Sequence, residues 1–127
     1  MSPEARDAFL AVPRTAVIAT VDAHGRPHAV AVWFRWVEGE LRIVTGRDSA
    51  KARNIARTGR AALCIDERDG RVTSLTAEGP VTISPLTPDE RFALWARYRG
   101  EDVARQTVTG GGHEGMVLLT LRPERWY

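Results

Sequence analysis

From Ala29 to Trp36 the chain reads Ala-Val-Ala-Val-Trp-Phe-Arg-Trp, apolar on both faces of an extended strand over most of its length. Successive strand residues point to opposite sides, so one face can fill a core and the other needs a cover of its own. A helix of the same chain could supply that cover. Three aromatics within four residues suit a subunit interface better, because a small monomer rarely leaves so large a patch to water.

The neighbouring segments are mostly strands. Pro3 to Val12 reads as a short amphipathic helix with Ser2 as N-cap and Pro13 as its stop. Arg14 to Trp36 reads as a hairpin, two β-rich runs joined by Asp22-Ala23-His24-Gly25. A turn at Val37-Glu38-Gly39-Glu40 leads to a third strand, Leu41–Thr45, and Ser49 opens a second helix. A fourth strand, Ala61–Asp66, is followed by a turn at Asp69-Gly70. The fifth run, Val72 to Pro85, is interrupted by Gly79-Pro80, the mark of a bend or a bulge at a barrel corner. Thr87-Pro88-Asp89-Glu90 starts a third helix through Gly100, and Met116 to Tyr127 supplies the last strand. Six strands, short turns and three small helices predict a mainly β, α+β fold: an antiparallel, closed or partly closed barrel.

One domain accounts for all 127 residues (1–127), since the length suffices for one core and not for two. No apolar run approaches the roughly 20 residues that span a bilayer. The start is charged and lacks the apolar stretch of a signal peptide. A single cysteine, Cys64, placed in mid-strand as inert core, excludes an internal disulfide and fits a reducing compartment. The expected location is therefore the cytoplasm, with no membrane partner.

Lys51 is the only lysine, and it sits in Thr45-Gly-Arg-Asp-Ser-Ala-Lys-Ala-Arg-Asn54, where a strand hands over to a helix. Free amides and the helix dipole make such a junction an anion site. A lysine offers phosphate a mobile point charge, an arginine a planar fork. The stretch from Arg47 to Arg60 holds Arg47, Lys51, Arg53, Arg57 and Arg60 against Asp48 alone. That surface fits a polyanion, or a solvated face. Net charge is only +2, so nucleic acid is not demanded. Aromatics lie in an apolar strand and at helical spacing, which is core or interface and not a stacking platform for bases.

Other features carry less chemistry. Gly110-Gly111-Gly112-His113-Glu114-Gly115 matches a dinucleotide fingerprint in letters only, because it precedes a strand and reads as a mobile loop. His24 is a turn residue, His28 opens a strand, and His113 sits on the glycine loop, where it could close over a substrate. No set of residues has metal-ligand spacing, and no nucleophile–base pattern is visible.

The segments Val17–Phe34, Leu41–Asp66 and the strand ending Thr76–Ile83 resemble the split β-barrel flavin and deazaflavin oxidoreductases related to pyridoxamine 5′-phosphate oxidase. Within them the chain is similar to the short branch that commonly uses coenzyme F420. The resemblance implies a six-stranded antiparallel split barrel of the FMN-binding type. It implies an oxidoreductase that is a homodimer with two cofactor sites at the subunit interface. It places the cofactor phosphate at Thr45, Ser49, Lys51 and Arg53 with Asn54 nearby, and the ring along Val30, Ala31 and Val32 beside Trp33. Arg47 and Arg57 would face the polyglutamyl tail of F420, which FMN lacks. The expected activity is hydride transfer from the deazaflavin to an unsaturated or heteroaromatic small molecule. No catalytic side chain and no metal are implied, since the cofactor carries the chemistry. Two alternatives stay open: an FMN-dependent enzyme on the same fold, and a non-catalytic module that binds a flavin or haem.

Overall fold

The computed structural model describes residues 1–68 and 73–127; the Asp69-Gly70 turn lies outside the described residues. In chain order the elements are α1 (Pro3–Ala11), β1 (Ala16–Val21), β2 (Pro27–Val32), β3 (Arg35–Val37), β4 (Glu40–Gly46), α2 (Ala50–Thr58), β5 (Arg60–Glu67), β6 (Thr73–Pro85), α3 (Pro88–Arg99), α4 (Glu101–Thr109), a 3-10 turn (His113–Gly115), β7 (Met116–Leu121) and β8 (Arg125–Trp126). The strands pair antiparallel in the order β2-β1-β5-β6-β7-β4-β3, and β8 pairs with β6. The two ends of that path, β2 and β3, are consecutive in the chain and separated only by Trp33 and Phe34. The sheet therefore curls into a barrel that stays split between them. Among the described residues eight strands replace the six expected, because the doubly apolar run breaks in two after Val32 and the C-terminal run breaks at Arg122-Pro123-Glu124.

Alternation decides what fills the barrel. Ala16, Ile18, Val32, Leu41, Ile43, Leu63, Ile65, Leu75, Ala77, Val81, Val117, Leu119 and Leu121 point inward and join Phe34 in one buried cluster. Asp22 sets the first hairpin: its carboxylate accepts the amides of His24 (2.8 Å) and Arg26 (2.9 Å). The Arg26 contact comes first among the causes that hold Asp22 below the ordinary carboxylate range.

Helix α2 plugs one end of the barrel with Ala52 and Ile55. Ser49 caps its start by accepting the Ala52 amide, and Gly59 ends it in the left-handed conformation (φ 74°). Helix α3 lies outside and is held by charge and aromatics. Glu90 accepts from Arg35 (2.8 Å) and Arg42 (2.6 Å), and Glu40 accepts from Arg42 and Arg122.

Trp33 stacks on Tyr98 of α3 at 4.7 Å and meets Trp95 edge-on at 5.6 Å. Trp36 donates to Asp7 of α1 and meets Trp126 edge-on, with the Arg6 guanidinium over both rings. The aromatics of the doubly apolar run are thus covered by helices of the same chain. The outer face left uncovered belongs to Ala29 and Ala31.

The Tyr98 hydroxyl holds the β2–β3 break in place. It accepts the Phe34 amide (3.1 Å) and lies 2.8 Å from the Arg14 carbonyl, to which it donates. Tyr98→Phe keeps the stack on Trp33 but strands the Phe34 N–H. It is expected to cost about 1–3 kcal/mol in urea unfolding with an unchanged m value. A loss under about 0.5 kcal/mol would mean that the break is held by aromatic packing alone.

Candidate functional site

Strand β4 ends and α2 begins at the barrel mouth, and the side chains there fall into two sets. Thr45, the last inward residue of β4, is buried, and its Oγ1 lies 3.1 Å from Ser49 Oγ. Asn54 is buried too and donates to Thr20 of β1 at 3.0 Å. These contacts bind α2 to the barrel, so Thr45 and Asn54 act as fasteners of the junction. They do not reach outward.

The outward set is cationic. Lys51 is half-buried in the first turn of α2, and no carboxylate pairs with it among the described residues. Burial holds its ammonium below the usual lysine value. Arg53 is exposed and curls back to the helix start, where its Nη1 donates to the Asp48 carbonyl at 3.0 Å. Two residues apart on a regular helix would diverge; the backward curl brings Arg53 to the same end as Lys51. Arg47 is exposed one residue beyond β4, and its amide donates to the Gly115 carbonyl at 2.9 Å. A phosphate would find the first amides of α2, the Ser49 hydroxyl and these cations in one place, so the donor set fits such a group.

Arg57 is placed differently. Its guanidinium donates to the Val21 carbonyl and faces Asn54 Oδ1, at the far end of α2 from Lys51. Arg57 is thus engaged at the β1 terminus, whereas the Arg47 side chain is exposed.

Strand β2 divides its residues by face. Val30 packs against the core and Val32 is buried, whereas Ala29 and Ala31 are exposed. The outward surface of this strand is therefore Ala31 and the backbone, with Val30 and Val32 behind it. As a terminal strand of the path, β2 has one edge that pairs with no other strand among the described residues.

Register extends the apolar outer face onto the neighbours. Val17 lies opposite Ala31, Ala19 opposite Ala29 and Val21 opposite Pro27. Val17 also lies opposite Cys64 and Ala19 opposite Ala62. Val17 and Val21 are 41% and 44% exposed. Cys64 is half-exposed on this face, so its reading as inert core is corrected: it lies on the outward side of β5. A groove of about 300 Å³ runs along the same surface, lined among others by Ala19, Val21, Pro27, Ala62 and Arg60. Sequence reasoning placed the uncovered surface at the tryptophans and missed this one. The signal was present in the small residues Ala19, Ala29, Ala31 and Ala62, which leave room for a neighbour.

His24 is exposed in its turn, as expected. His28 is half-buried opposite Thr20, and its Nδ1 is buried without a partner among the described residues. The glycine loop is not free. It follows α4, a helix the sequence reading passed over, and His113 contacts Arg91 of α3.

The model of the pyridoxamine 5′-phosphate oxidase family matches residues 2–127. The chain is 46% identical over 102 residues to a 5a,11a-dehydrotetracycline/5a,11a-dehydrooxytetracycline reductase of Streptomyces rimosus, covering 74% of this chain and 72% of the relative. A conserved hypothetical protein of Mycobacterium tuberculosis superposes with a TM-score of 0.87 at 25% identity, over 99% of this chain and 82% of that one. An F420 reductase superposes with a TM-score of 0.76 at 25% identity, over 99% of this chain and 98% of that one. The chain belongs to the pyridoxamine 5′-phosphate oxidase family, and its fold is the split barrel of that family.

Proposed function

We propose that this family member is an oxidoreductase that uses F420 to reduce an unsaturated or heteroaromatic small molecule. The observation that carries the reading is the β4–α2 junction. A half-buried lysine with no carboxylate partner among the described residues stands there beside a capped helix start. A partly desolvated cation with no counter-ion carries a cost, and a phosphate would supply the missing charge. In this reading Ser49, Lys51 and Arg53 hold the phosphate while Thr45 and Asn54 fix the helix. The ring lies along Val30, Ala31 and Val32, with Trp33 at its end, and Arg47 meets the tail. The similarity to a reductase and to an F420 reductase supports the same activity. When bound, the deazaflavin would supply the hydride; the protein binds it, orients it and keeps the pocket dry.

The second reading, an FMN-dependent enzyme, uses the same phosphate site and leaves Arg47 idle. Titrating the purified protein with F420, FMN and FAD by fluorescence separates the two. F420 should bind most tightly, and its advantage should shrink with salt, because exposed ion pairs are screened over about 10 Å at 0.1 M. Tighter binding of FMN at low salt would defeat the F420 assignment.

The protein is further proposed to be a homodimer joined through the outer face of β1, β2 and β5. The exposed row of Val17, Val21, Ala19, Ala29 and Ala31 motivates that surface. A ring lying along the open edge of β2 would then sit beside the second subunit. Light scattering is expected to give twice 14.1 kDa, and Val17→Glu with Ala29→Glu should give the monomer. A wild-type mass of one chain at micromolar concentration refutes the dimer, and a dimer that survives both charges refutes the surface.

A further inference from the structure

Arg91 of α3 is only 7% exposed, yet no carboxylate pairs with it among the described residues. Its Nη1 donates to the Gly111 carbonyl and lies 3.2 Å from His113 Nδ1, and its guanidinium sits 5.3 Å from the centre of the Trp95 ring. Burying an arginine is expensive unless its donors are used; here both contacts of Nη1 go to one short loop, while Nε is buried without a partner among the described residues. Gly111 and Gly112 take positive φ (78° and 93°), which turns the chain back so that His113 meets Arg91. The other end of the loop is tied down as well, since the Gly115 carbonyl accepts the Arg47 amide. The loop is therefore clamped between α3 and the junction that carries the phosphate site.

The clamp has a chemical consequence. A guanidinium can only donate, so His113 Nδ1 must accept. The contact is open only to the neutral ring, and it leaves the ring proton on Nε2. The imidazole is half-exposed, and Nε2 has no partner among the described residues. A loop tether alone would need no histidine, because the Gly111 carbonyl already supplies it.

We propose that His113, held by Arg91 as the Nε2–H tautomer, donates a hydrogen bond to a carbonyl or enol oxygen of a flat, fused-ring substrate. Arg91 is the positioning residue. This deepens the reductase reading and rests on it, and the fused-ring class is that of the compounds named for the similar Streptomyces rimosus reductase. Arg91 packs on Trp95, and Trp95 on Trp33 at the end of β2, where the ring of the cofactor is assigned, so the loop and that position are joined by continuous side-chain contact. A site that offers an N–H to an oxygen discriminates strongly against analogues lacking it.

Two measurements test this on the intact protein. In ¹⁵N spectra of imidazole-labelled protein, neutral His113 should show Nε2 protonated and Nδ1 bare. Arg91→Lys should keep that pattern and Arg91→Leu should mix the tautomers. Tetracycline, as a stable fused-ring probe, should bind the wild type, followed by tryptophan quenching. His113→Leu should weaken it about three- to tenfold, as expected for one neutral hydrogen bond, and His113→Gln should recover part of the loss. F420 and FMN affinities should not move in either variant. An Nδ1–H tautomer in the wild type, no tetracycline binding to the wild type, equal tetracycline affinity in His113→Leu, or an equal loss of cofactor affinity each overturns the proposal. A wild type that binds tetracycline but no flavin or deazaflavin would instead remove the reductase reading on which it rests.

Discussion

Gly79→Ala is expected to be the most damaging single-methyl change in this protein, costing at least about 3 kcal/mol and lowering the melting temperature by on the order of 10 °C or more. The reason is a backbone crossing. Strand β6 pairs with β5 up to Pro80 opposite Arg60, and with β7 from Val81 opposite Leu121. At that change of partner the chain after β7 passes directly over Gly79. A Cβ there would stand 2.1 Å from the Arg122 carbonyl oxygen and 3.1 Å from the Glu124 amide nitrogen. Neither atom is free to retreat. The Arg122 amide donates to Pro80 (3.0 Å) and the Glu124 amide to Glu78 (2.8 Å), so the crossing is pinned on both sides of the glycine. Relief of the clash breaks at least one of those bonds and displaces β8 from β6. Gly115→Ala serves as the control, because its Cβ would enter open space at an ordinary φ. Equal urea midpoints for the two variants would show that the crossing is looser than described.

The same corner shows what a sequence can disclose. Gly79-Pro80 marks a corner by residue type alone, since a glycine in a strand signals close backbone approach and a proline cannot donate. Which backbone approaches is set by residues more than forty positions away, and no local pattern carries that. The junction of β4 and α2 was legible for a similar reason. Ser49 as cap, the strand before it and the charges after it all lie within a dozen residues. What failed were inferences about cover. The two-sided apolarity of Ala29–Trp36 is real, but α3 and α1 return to Trp33 and Trp36 from distant parts of the chain. Helix α4 escaped notice because it buries only Ala104 and its start, Gly100, offers no side-chain cap. A nine-residue helix that starts on a glycine directly after α3 carries no capping signal of its own. The clamp of Arg91 on His113 joins α3 to a loop after α4, so it needed both helices in place to be seen.

Lys51→Ala should separate binding from folding more sharply than any other substitution at the junction. Burial depresses the folded-state value of Lys51 below 10.5, so the unfolded chain holds that proton more firmly. Stability should therefore rise as pH climbs through the window between the depressed value and 10.5. Below that window the charged ammonium is a cost that folding carries. Removing the side chain removes the cost. The cofactor-free variant should melt at the wild-type temperature or slightly above it, and its slope of stability against pH in that window should flatten. Binding should move the other way. Loss of a charge-assisted contact to phosphate is expected to weaken F420 and FMN alike by about ten- to a hundredfold, since both carry the phosphate. On the proposed assignment, Arg47→Gln should by contrast weaken F420 and leave FMN nearly unchanged, because FMN has no tail for that arginine to meet. A Lys51→Ala protein that is less stable than wild type yet binds both cofactors as well would make the lysine a structural residue, and the phosphate would have to be sought elsewhere on the barrel.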